Sequence, residues 1–178
     1  MILAKLLYFF LPVCLANMAP VILQHKFNFL AQPIDQGKKW RGREIFGSHK
    51  TWRGIIVATL SGGLLYLLQY YLAYHYAVFN NLPFNYLSAP IWFGFIFSFA
   101  AIFGDLIKSF FKRQFNIEAG KSWIPFDQWD FLVTSTAVLY LFFSVPYYYW
   151  LLILGFGLFL HMAVNRVGFW LKIKNTPW

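Results

Sequence analysis

Three aspartates in the second half of the chain have the residue type and spacing of a divalent metal site. Asp105 follows an apolar run, and Asp127 and Asp130 stand three positions apart just after Pro125. Pro125 could begin a helix whose first turn holds both carboxylates on one face. Carboxylate oxygens suit Mg²⁺, which bridges protein to substrate phosphates. These aspartates are therefore candidate catalytic and metal-ligating residues; the alternative is that Asp127 and Asp130 only stabilise a helix N-terminus through its dipole.

Asp105 also begins a polar stripe along its own predicted helix. Ser109 and Lys112 follow it at i+4 and i+7, so the three side chains share one face, with Lys108 at its edge. A charged residue inside an apolar membrane helix costs about 3 kcal/mol on insertion scales and is functional by default. The alternative is a plain ion pair of Asp105 with Lys108 or Lys112, with the lysines reaching towards the membrane surface.

A second group of cations lies upstream, in the glycine-containing stretch Gly47-Ser48-His49-Lys50-Thr51-Trp52-Arg53-Gly54. The spacing is not that of a P-loop, in which lysine follows glycine directly. Glycines nevertheless let a backbone approach a phosphate, and Lys50 and Arg53 supply positive charge. The alternative is that these are topology charges that attract anionic lipid. Further candidates for binding phosphate or another part of a ligand are Ser109, Lys112, Arg113, Lys121 and Asn165.

The elements that must position these residues are membrane helices. The chain has 178 residues, 60% of them hydrophobic and only 12% charged, whereas soluble domains carry about 25% charged residues. This composition excludes a cytosolic globule, a disordered chain and a collagen-like chain. A membrane-spanning helix takes about 20 apolar residues. We predict an all-α, polytopic integral membrane protein with about five transmembrane helices, in a single domain over residues 1–178. The predicted spans are residues 2–23, 55–76, 91–111, 131–145 and 148–171.

Charge sets the predicted orientation of these helices. Lys and Arg outnumber Asp and Glu by 15 to 6, a net charge of +9. The basic residues concentrate in the loops after the first and third helices and in the C-terminal tail, whereas residues 77–90 and 146–147 contain none. The positive-inside rule makes both basic loops and the C-terminus cytoplasmic and the N-terminus external. A nucleic-acid partner is disfavoured, because topology accounts for the cations.

The N-terminal segment and the acidic residues complete the predicted arrangement. Residues 1–20 contain one lysine and an apolar run, roughly as a signal peptide would, but we expect them to be retained as the first helix. All six acidic residues fall at or beside the predicted cytoplasmic side. Acids contribute little to topology, so their confinement to one side predicts an active site there, on a multi-pass protein of the cell membrane.

Taken as an ordered set, the motifs resemble the signature of the CDP-archaeol synthases, a branch of the CTP-dependent phosphatidate cytidylyltransferase superfamily. The resemblance is carried by Gly104-Asp105, Lys108-Ser109, Lys112-Arg113, Gly120-Lys121-Ser122-Trp123 and Pro125-Phe126-Asp127-Gln128-Trp129-Asp130. The stretch from Phe46 to Gly54, Asn17 before Pro20, and His161 with Asn165 are also similar to that branch. The chain departs from the bacterial CDP-diacylglycerol synthases, in which Pro-Gly-His-Gly-Gly precedes the paired aspartates.

The resemblance implies an enzyme that converts CTP and an archaeol-type lipid phosphate to CDP-lipid and pyrophosphate, with Mg²⁺ as cofactor. No general base is needed, since a phosphate monoester is already ionised near pH 7. The competing hypothesis is a small membrane transporter of an anionic solute, but transporters usually place polar residues near the midplane and often carry inverted repeats. A membrane assembly factor with a basic face would explain the cations but not the clustered acids.

Overall fold

Five long helices make up most of the chain in the computed structural model, which describes residues 2–80, 85–118, 121, 123–170 and 172. A short helix, α3, lies between the second and third of them. Each predicted apolar segment corresponds to one long helix, with its ends shifted by a few residues. The helices are α1 (Ile2–Ile22), α2 (Trp52–His75), α3 (Ala77–Asn80), α4 (Phe93–Gln114), α5 (Phe126–Phe142) and α6 (Tyr148–Trp170).

Local sequence accounts for several of the helix ends. Thr51 caps α2, because its side-chain oxygen accepts a hydrogen bond from the Gly54 N–H at 3.3 Å. Lys112 and Arg113 occupy the last turn of α4, where cations interact favourably with the helix dipole. Helix α5 begins directly after Pro125 and carries Asp127 in its first turn, as the sequence predicts. Asp130, predicted for the same turn, lies one turn further along, because it is the fifth residue of the helix.

Among the described residues, three helices are long and apolar enough to cross a membrane. They are α1 over Leu3–Ile22, α2 and α4, with mean hydropathies of 1.7, 1.6 and 1.5. Helix α5 has 17 residues and carries two aspartates near its start, and the apolar part of α6 covers Tyr148–Phe159. The chain is therefore a multi-pass membrane protein, while the count of about five spans stays a prediction.

Helix α4 lies at the centre of the bundle and packs against α1, α2 and α5. Aromatic rings fill the space between these helices. Phe9 of α1 and Phe97 of α4 have ring centroids 5.6 Å apart, and Phe97 stacks on Phe93 at 5.1 Å. All three rings are fully buried, whereas Leu64 and Leu68 of α2 point outwards and are more than half exposed, as side chains facing lipid would be.

The contact between α4 and α5 is very close at Gly104. A Cβ atom added to Gly104 would stand 2.4 Å from the Asp130 carbonyl oxygen and 2.5 Å from the Thr134 hydroxyl. Small residues at such points allow the backbones of membrane helices to approach each other. Gly104 thus brings the next residue of α4, Asp105, alongside the start of α5.

The first basic loop, between α1 and α2, folds back onto the C-terminal end of α4. It contains a short antiparallel hairpin, β1 (Lys39–Trp40) paired with β2 (Arg43–Glu44). The amide of Gln114, at the end of α4, donates to the Glu44 carbonyl at 3.4 Å. This two-strand hairpin is a small exception to the predicted all-helical architecture, and it is confined to the loop between α1 and α2.

Candidate active site

The three candidate aspartates converge around the ammonium group of Lys108. Its Nζ atom lies 3.0 Å from Asp105 Oδ1, 3.2 Å from Asp127 Oδ1 and 2.6 Å from Asp130 Oδ2. Asp105 and Lys108 come from one turn of α4, whereas Asp127 and Asp130 come from the first turns of α5. The predicted convergence of the three carboxylates is therefore what the structure shows, with a lysine at its centre. We call these three aspartates and Lys108 the carboxylate cluster.

Lys112 ties the same region together one turn further along α4. Its Nζ lies 3.1 Å and 3.3 Å from the two carboxylate oxygens of Asp127, and it also donates to the backbone carbonyl of Lys121. Asp127 in turn accepts a hydrogen bond from the Trp123 N–H. Lys112 is buried, at 7% exposure, and a buried ammonium needs such partners to offset its lost hydration. The loop between α4 and α5 is thus held against α4 by Lys112, through Asp127 and the Lys121 carbonyl.

The first basic loop closes the cluster from the other side. Lys50 pairs with Asp105 through a direct contact between its Nζ and Oδ2. The backbone of Lys50 is positioned by two hydrogen bonds, from the Ile34 N–H to its carbonyl at 2.9 Å and from its own N–H to the Gly47 carbonyl at 3.1 Å. Lys50, predicted as a phosphate ligand, is therefore placed next to a predicted metal ligand 55 positions away in the chain.

Asp35 holds this loop in shape. Its carboxylate accepts hydrogen bonds from the backbone N–H groups of Phe46 at 2.9 Å, Gly37 at 3.1 Å and Gly47 at 3.2 Å. Burial raises the pKa of Asp35, but the hydrogen bonds from Phe46, Gly37 and Gly47 outweigh that effect and lower it below its usual value. Asp35 is thus a structural anchor for the residues that lead to Lys50.

The remaining predicted ligands lie around this centre and differ in their contacts and in their burial. Arg53 donates to the Lys26 carbonyl at 3.2 Å and to the Asn28 side-chain oxygen at 3.3 Å, so part of its guanidinium supports the loop. Ser109 is buried and donates to the Asp105 carbonyl of its own helix at 2.7 Å. Lys121 is exposed and pairs with Glu118 at 2.8 Å.

Arg113 and Asn165 complete the predicted set. Arg113 lies near Gly47, since a Cβ atom added to Gly47 would stand 3.7 Å from its Cδ. Its Nε atom is buried and has no hydrogen-bond partner among the described residues. The side chain of Asn165 lies outside the described part of the chain, although its position in α6 is described.

Two cavities border the carboxylate cluster. The larger, of about 940 Å³, is lined by Lys50, Asp105 and Lys108 and continues along apolar side chains of α1 and α6. Apolar lining residues include Leu6 and Phe10 of α1 and Leu152 and Ile153 of α6. The smaller cavity, of about 290 Å³, lies on the loop side. Its polar lining includes His49, Lys50, Ser109, Lys112 and Arg113. The carboxylate cluster therefore borders both a small basic cavity and a larger cavity that extends along apolar residues.

Sequence reasoning missed the role of three residues. Lys108 stands at the centre of the carboxylate cluster rather than at the edge of a stripe; its i+3 spacing from Asp105 was the available signal. Gln128 is buried, lines the larger cavity, and its Oε1 has no hydrogen-bond partner among the described residues. Its position between Asp127 and Asp130 was the signal. Asp35, two residues before Gly37, had the pattern of an Asx turn.

The three carboxylates of the cluster are oxygen donors of the kind that bind divalent cations. Three carboxylates within 3.2 Å of one nitrogen are hard oxygen donors gathered at one point, which suits Mg²⁺. In the arrangement described, the oxygens surround an ammonium, and no group of three His, Cys, Asp or Glu among the described residues is spaced to hold a metal ion. The residues fit a divalent cation in chemistry, provided that Lys108 leaves the centre.

Comparisons with known proteins show the family of the chain. The CarS-like family model, described as CDP-archaeol synthase, matches residues 1–178. CDP-archaeol synthase from Pyrococcus furiosus is 34% identical over 172 residues, which cover 96% of this chain and 95% of that protein. The enzyme from Methanocaldococcus jannaschii is also 34% identical, over 97% of this chain and 95% of that protein.

A solved structure is also similar to this chain. It is that of an intramembrane enzyme for archaeal membrane lipid biosynthesis, with a TM-score of 0.72 and 25% identity. The match covers 92% of this chain and 94% of that one. Since the family model matches along the whole chain and the relatives exceed 30% identity over nearly all of it, the chain belongs to the CDP-archaeol synthase family.

Proposed function

We propose that this protein joins CTP to an archaeol-type lipid phosphate, forming CDP-lipid and pyrophosphate. The observation that carries the proposal is the continuity of the larger cavity. One wall presents Lys50, Asp105 and Lys108, and the cavity then extends along apolar residues of α1 and α6. A lipid phosphate has the same division between an anionic head and an apolar tail, so the cavity suits both parts of that substrate at once.

The chemistry is a displacement at phosphorus. An oxygen of the lipid phosphate attacks the α-phosphorus of CTP, a new P–O bond forms, and the bond to the β-phosphate bridging oxygen breaks so that pyrophosphate leaves. No oxidation or reduction occurs, and the attacking oxygen carries no proton that a base must remove, because a phosphate monoester is ionised near pH 7. Such reactions depend mainly on positioning and on charge neutralisation.

Several cations line the two cavities, which supports a role in binding phosphate. Lys50, Lys112 and Arg113 line the smaller cavity, and Lys50, Arg53 and Lys121 line the larger one. We propose that they bind the phosphates of CTP and of the lipid, because ammonium and guanidinium groups form charge-assisted hydrogen bonds to phosphate oxygens. Ser109 and Asn165 are proposed as further ligand contacts. Ser109 lines the smaller cavity, and Asn165 lies near the end of α6 that is predicted to be cytoplasmic.

Asp105, Asp127 and Asp130 are the residues that would hold Mg²⁺. When bound, the ion supplies neutralisation of negative charge on the triphosphate. The protein's part is to hold the three carboxylates at one point by means of the close α4–α5 contact and the hydrogen bonds to Asp127. We further propose that the active site faces the cytoplasm, because both basic loops border it, and that residues 1–178 act as a single transmembrane domain.

The test is synthesis in vitro. Purified protein in detergent is incubated with labelled CTP, MgCl₂ and a panel of lipid phosphates that includes archaeol-type ether lipids and diacyl lipids. We expect labelled CDP-lipid and one equivalent of pyrophosphate, abolished by EDTA and restored by added Mg²⁺. A preparation that is monodisperse and folded yet forms no CDP-lipid with any member of the panel would contradict the proposed function.

A further inference from the structure

Lys108 occupies the point where a cation bound by the three aspartates would have to sit. Its Nζ lies within 3.2 Å of one oxygen from each of Asp105, Asp127 and Asp130. Its side chain is only 14% exposed, so the ammonium is held mainly by these carboxylates. Lys50 and Lys112, by contrast, each contact only one of the three aspartates among the described ion pairs.

The ion pairs of the carboxylate cluster balance in charge without a metal ion. Asp105, Asp127 and Asp130 contribute three negative charges, and their ion-pair partners Lys50, Lys108 and Lys112 contribute three positive ones. The further cations Arg53, Arg113 and Lys121 line the cavities outside these pairs. If a divalent cation entered and nothing moved, the site would gain two uncompensated positive charges, and the ion would lie directly beside the Lys108 ammonium. Like charges at such distances repel strongly when they are shielded from water.

We propose that Lys108 is a displaceable counter-ion of the metal site. Its ammonium holds the three carboxylates together when no metal is bound, and it moves out when a divalent cation takes the same oxygens. The four-carbon stem of lysine allows such a movement, because its ammonium is a compact charge on a flexible chain. This inference rests on the proposed function, which assigns the divalent cation to these aspartates.

Displacement of Lys108 couples the binding of the metal to the binding of the nucleotide. Metal binding must break three ion pairs of Lys108, so the cation alone binds weakly. The negative charge of a nucleotide triphosphate compensates both the cation and the released ammonium. Metal and CTP therefore increase each other's affinity, as the reciprocity of linked binding requires. Lys108 thereby acts as a positioning residue that favours loading of the metal together with the nucleotide.

The first test measures metal binding rather than turnover. Mn²⁺ binding to purified protein in detergent, without nucleotide, is followed by electron paramagnetic resonance for the parent, Lys108→Met and Lys108→Arg. Lys108→Met removes the charge and keeps an apolar side chain of comparable length, so we expect Mn²⁺ to bind at least about tenfold more tightly. Lys108→Arg keeps the charge, so its affinity should remain close to that of the parent. Lys39→Met, in the exposed strand β1, is the matched control and should change nothing.

Tighter binding is the result that a purely structural role of Lys108 would not give. A structural lysine, once removed, leaves three repelling carboxylates whose site loosens, so that Mn²⁺ affinity falls or stays the same. Either of those results, in a Lys108→Met protein that remains monodisperse, would overturn the proposal. The addition of CTP should tighten Mn²⁺ binding strongly in the parent and much less in Lys108→Met.

The second test uses the parent protein, so it does not depend on a variant that folds. Amine-specific labelling of lysines is quantified by mass spectrometry with and without Mg²⁺ and CTP. Labelling of Lys108 should rise severalfold at saturating Mg²⁺ without CTP, where the ammonium is released and no nucleotide pairs with it, while that of Lys39 stays constant. Unchanged labelling of Lys108 in a protein that makes CDP-lipid would overturn the counter-ion role alone. Failure of the parent to make CDP-lipid at all would instead contradict the proposed function.

Discussion

Lys112 Nζ lies 3.1 Å from one carboxylate oxygen of Asp127 and 3.3 Å from the other, which links the last turn of α4 to the first turn of α5. The same carboxylate accepts from the Trp123 N–H and lies 3.2 Å from Lys108. Asp127 therefore has two possible functions, as a metal ligand and as a clamp between two helices, and the two can be separated by experiment.

Asp127→Asn is expected to lower turnover by at least about 100-fold, because loss even of a group that only supports a metal ligand costs about 10–100-fold. The amide keeps the shape of the side chain, so the protein should remain monodisperse in detergent. Turnover is measured as CDP-lipid formation across a range of Mg²⁺ concentrations. Glu118→Gln, an exposed acid paired only with Lys121 among the described ion pairs, is the control and should leave turnover close to that of the parent. Near-normal turnover of Asp127→Asn would assign the residue to the helix contact alone.

Lys50→Gln should raise the CTP KM or lower kcat by at least about tenfold, since a charge-assisted hydrogen bond contributes about 1.5–3 kcal/mol. Arg53→Gln should have an effect of similar size, and part of it should come from lost bonds to Lys26 and Asn28. CTP saturation curves in detergent measure both. Lys39→Gln is the matched control in the same loop. Curves for Lys50→Gln and Arg53→Gln that superimpose on the parent curve would mean that these cations serve only topology.

Gly104→Ala is expected to separate α4 from α5. The added methyl group would stand 2.4 Å from the Asp130 carbonyl oxygen, and overpacking of this kind costs about 1–3 kcal/mol. Turnover should fall by about 100-fold, because a misplacement of about 1 Å at a catalytic site has that effect. Thermal unfolding and CDP-lipid formation are the two measurements.

Gly155→Ala is the control for Gly104→Ala, since a Cβ added at Gly155 meets no atom within 4 Å. It should leave turnover unchanged and stability equal or slightly higher, because alanine favours a helix over glycine by about 1 kcal/mol. Equal activity of the two glycine variants would show that the close α4–α5 contact is not needed to place the aspartates.

The hydrogen bonds of the Asp35 carboxylate predict that the stability of the first loop depends on pH. Because hydrogen bonds hold the pKa of Asp35 below its usual 3.8, the folded state favours the charged form. The stabilisation is therefore complete above the unfolded pKa and is lost as the pH falls through the folded one. Hydrogen-exchange protection of the Phe46 and Gly47 amides, corrected for intrinsic rates, should be constant between about pH 5 and 8 and should fall only below about pH 4.

In Asp35→Asn the protection of these two amides should already be low at neutral pH. The neutral amide oxygen is a weaker acceptor than a carboxylate. It also leaves an NH₂ group facing either the Gly37 N–H or the N–H groups of Phe46 and Gly47, which share one oxygen of Asp35. Protection in Asp35→Asn that equals that of the parent at pH 7 would mean that the loop is held by other contacts.

The membrane orientation is tested by a reporter fused after Trp178. The absence of Lys and Arg from residues 77–90 and 146–147 predicts an external N-terminus and a cytoplasmic C-terminus. A reporter that is active only in the cytoplasm should therefore give a signal at this position. A signal from a reporter that is active only outside the cytoplasm would mean that the predicted orientation or the predicted number of spans is wrong.

The sequence by itself determined the type of protein and most of its elements. Hydropathy identified the long helices because a bilayer requires apolar segments of a certain length. Pro125 and Asp127 marked the start of α5, because proline is favoured where a helix begins and acids are favoured in its first turn. The ordered set from Gly104 to Asp130 indicated the family. It also contained Asp105, Asp127 and Asp130, whose carboxylates lie close together in the structure and whose role as metal ligands stays a prediction.

Only the tertiary structure decided what those residues contact. Helical periodicity places Lys108 near Asp105, but it cannot show that Asp127 and Asp130 approach the same ammonium, since that depends on how closely α4 and α5 pack at Gly104. The Lys50–Asp105 pair spans 55 positions and depends on a loop shaped by Asp35. Such contacts arise from the packing of separate elements, and the pattern within any one element carries no information about them.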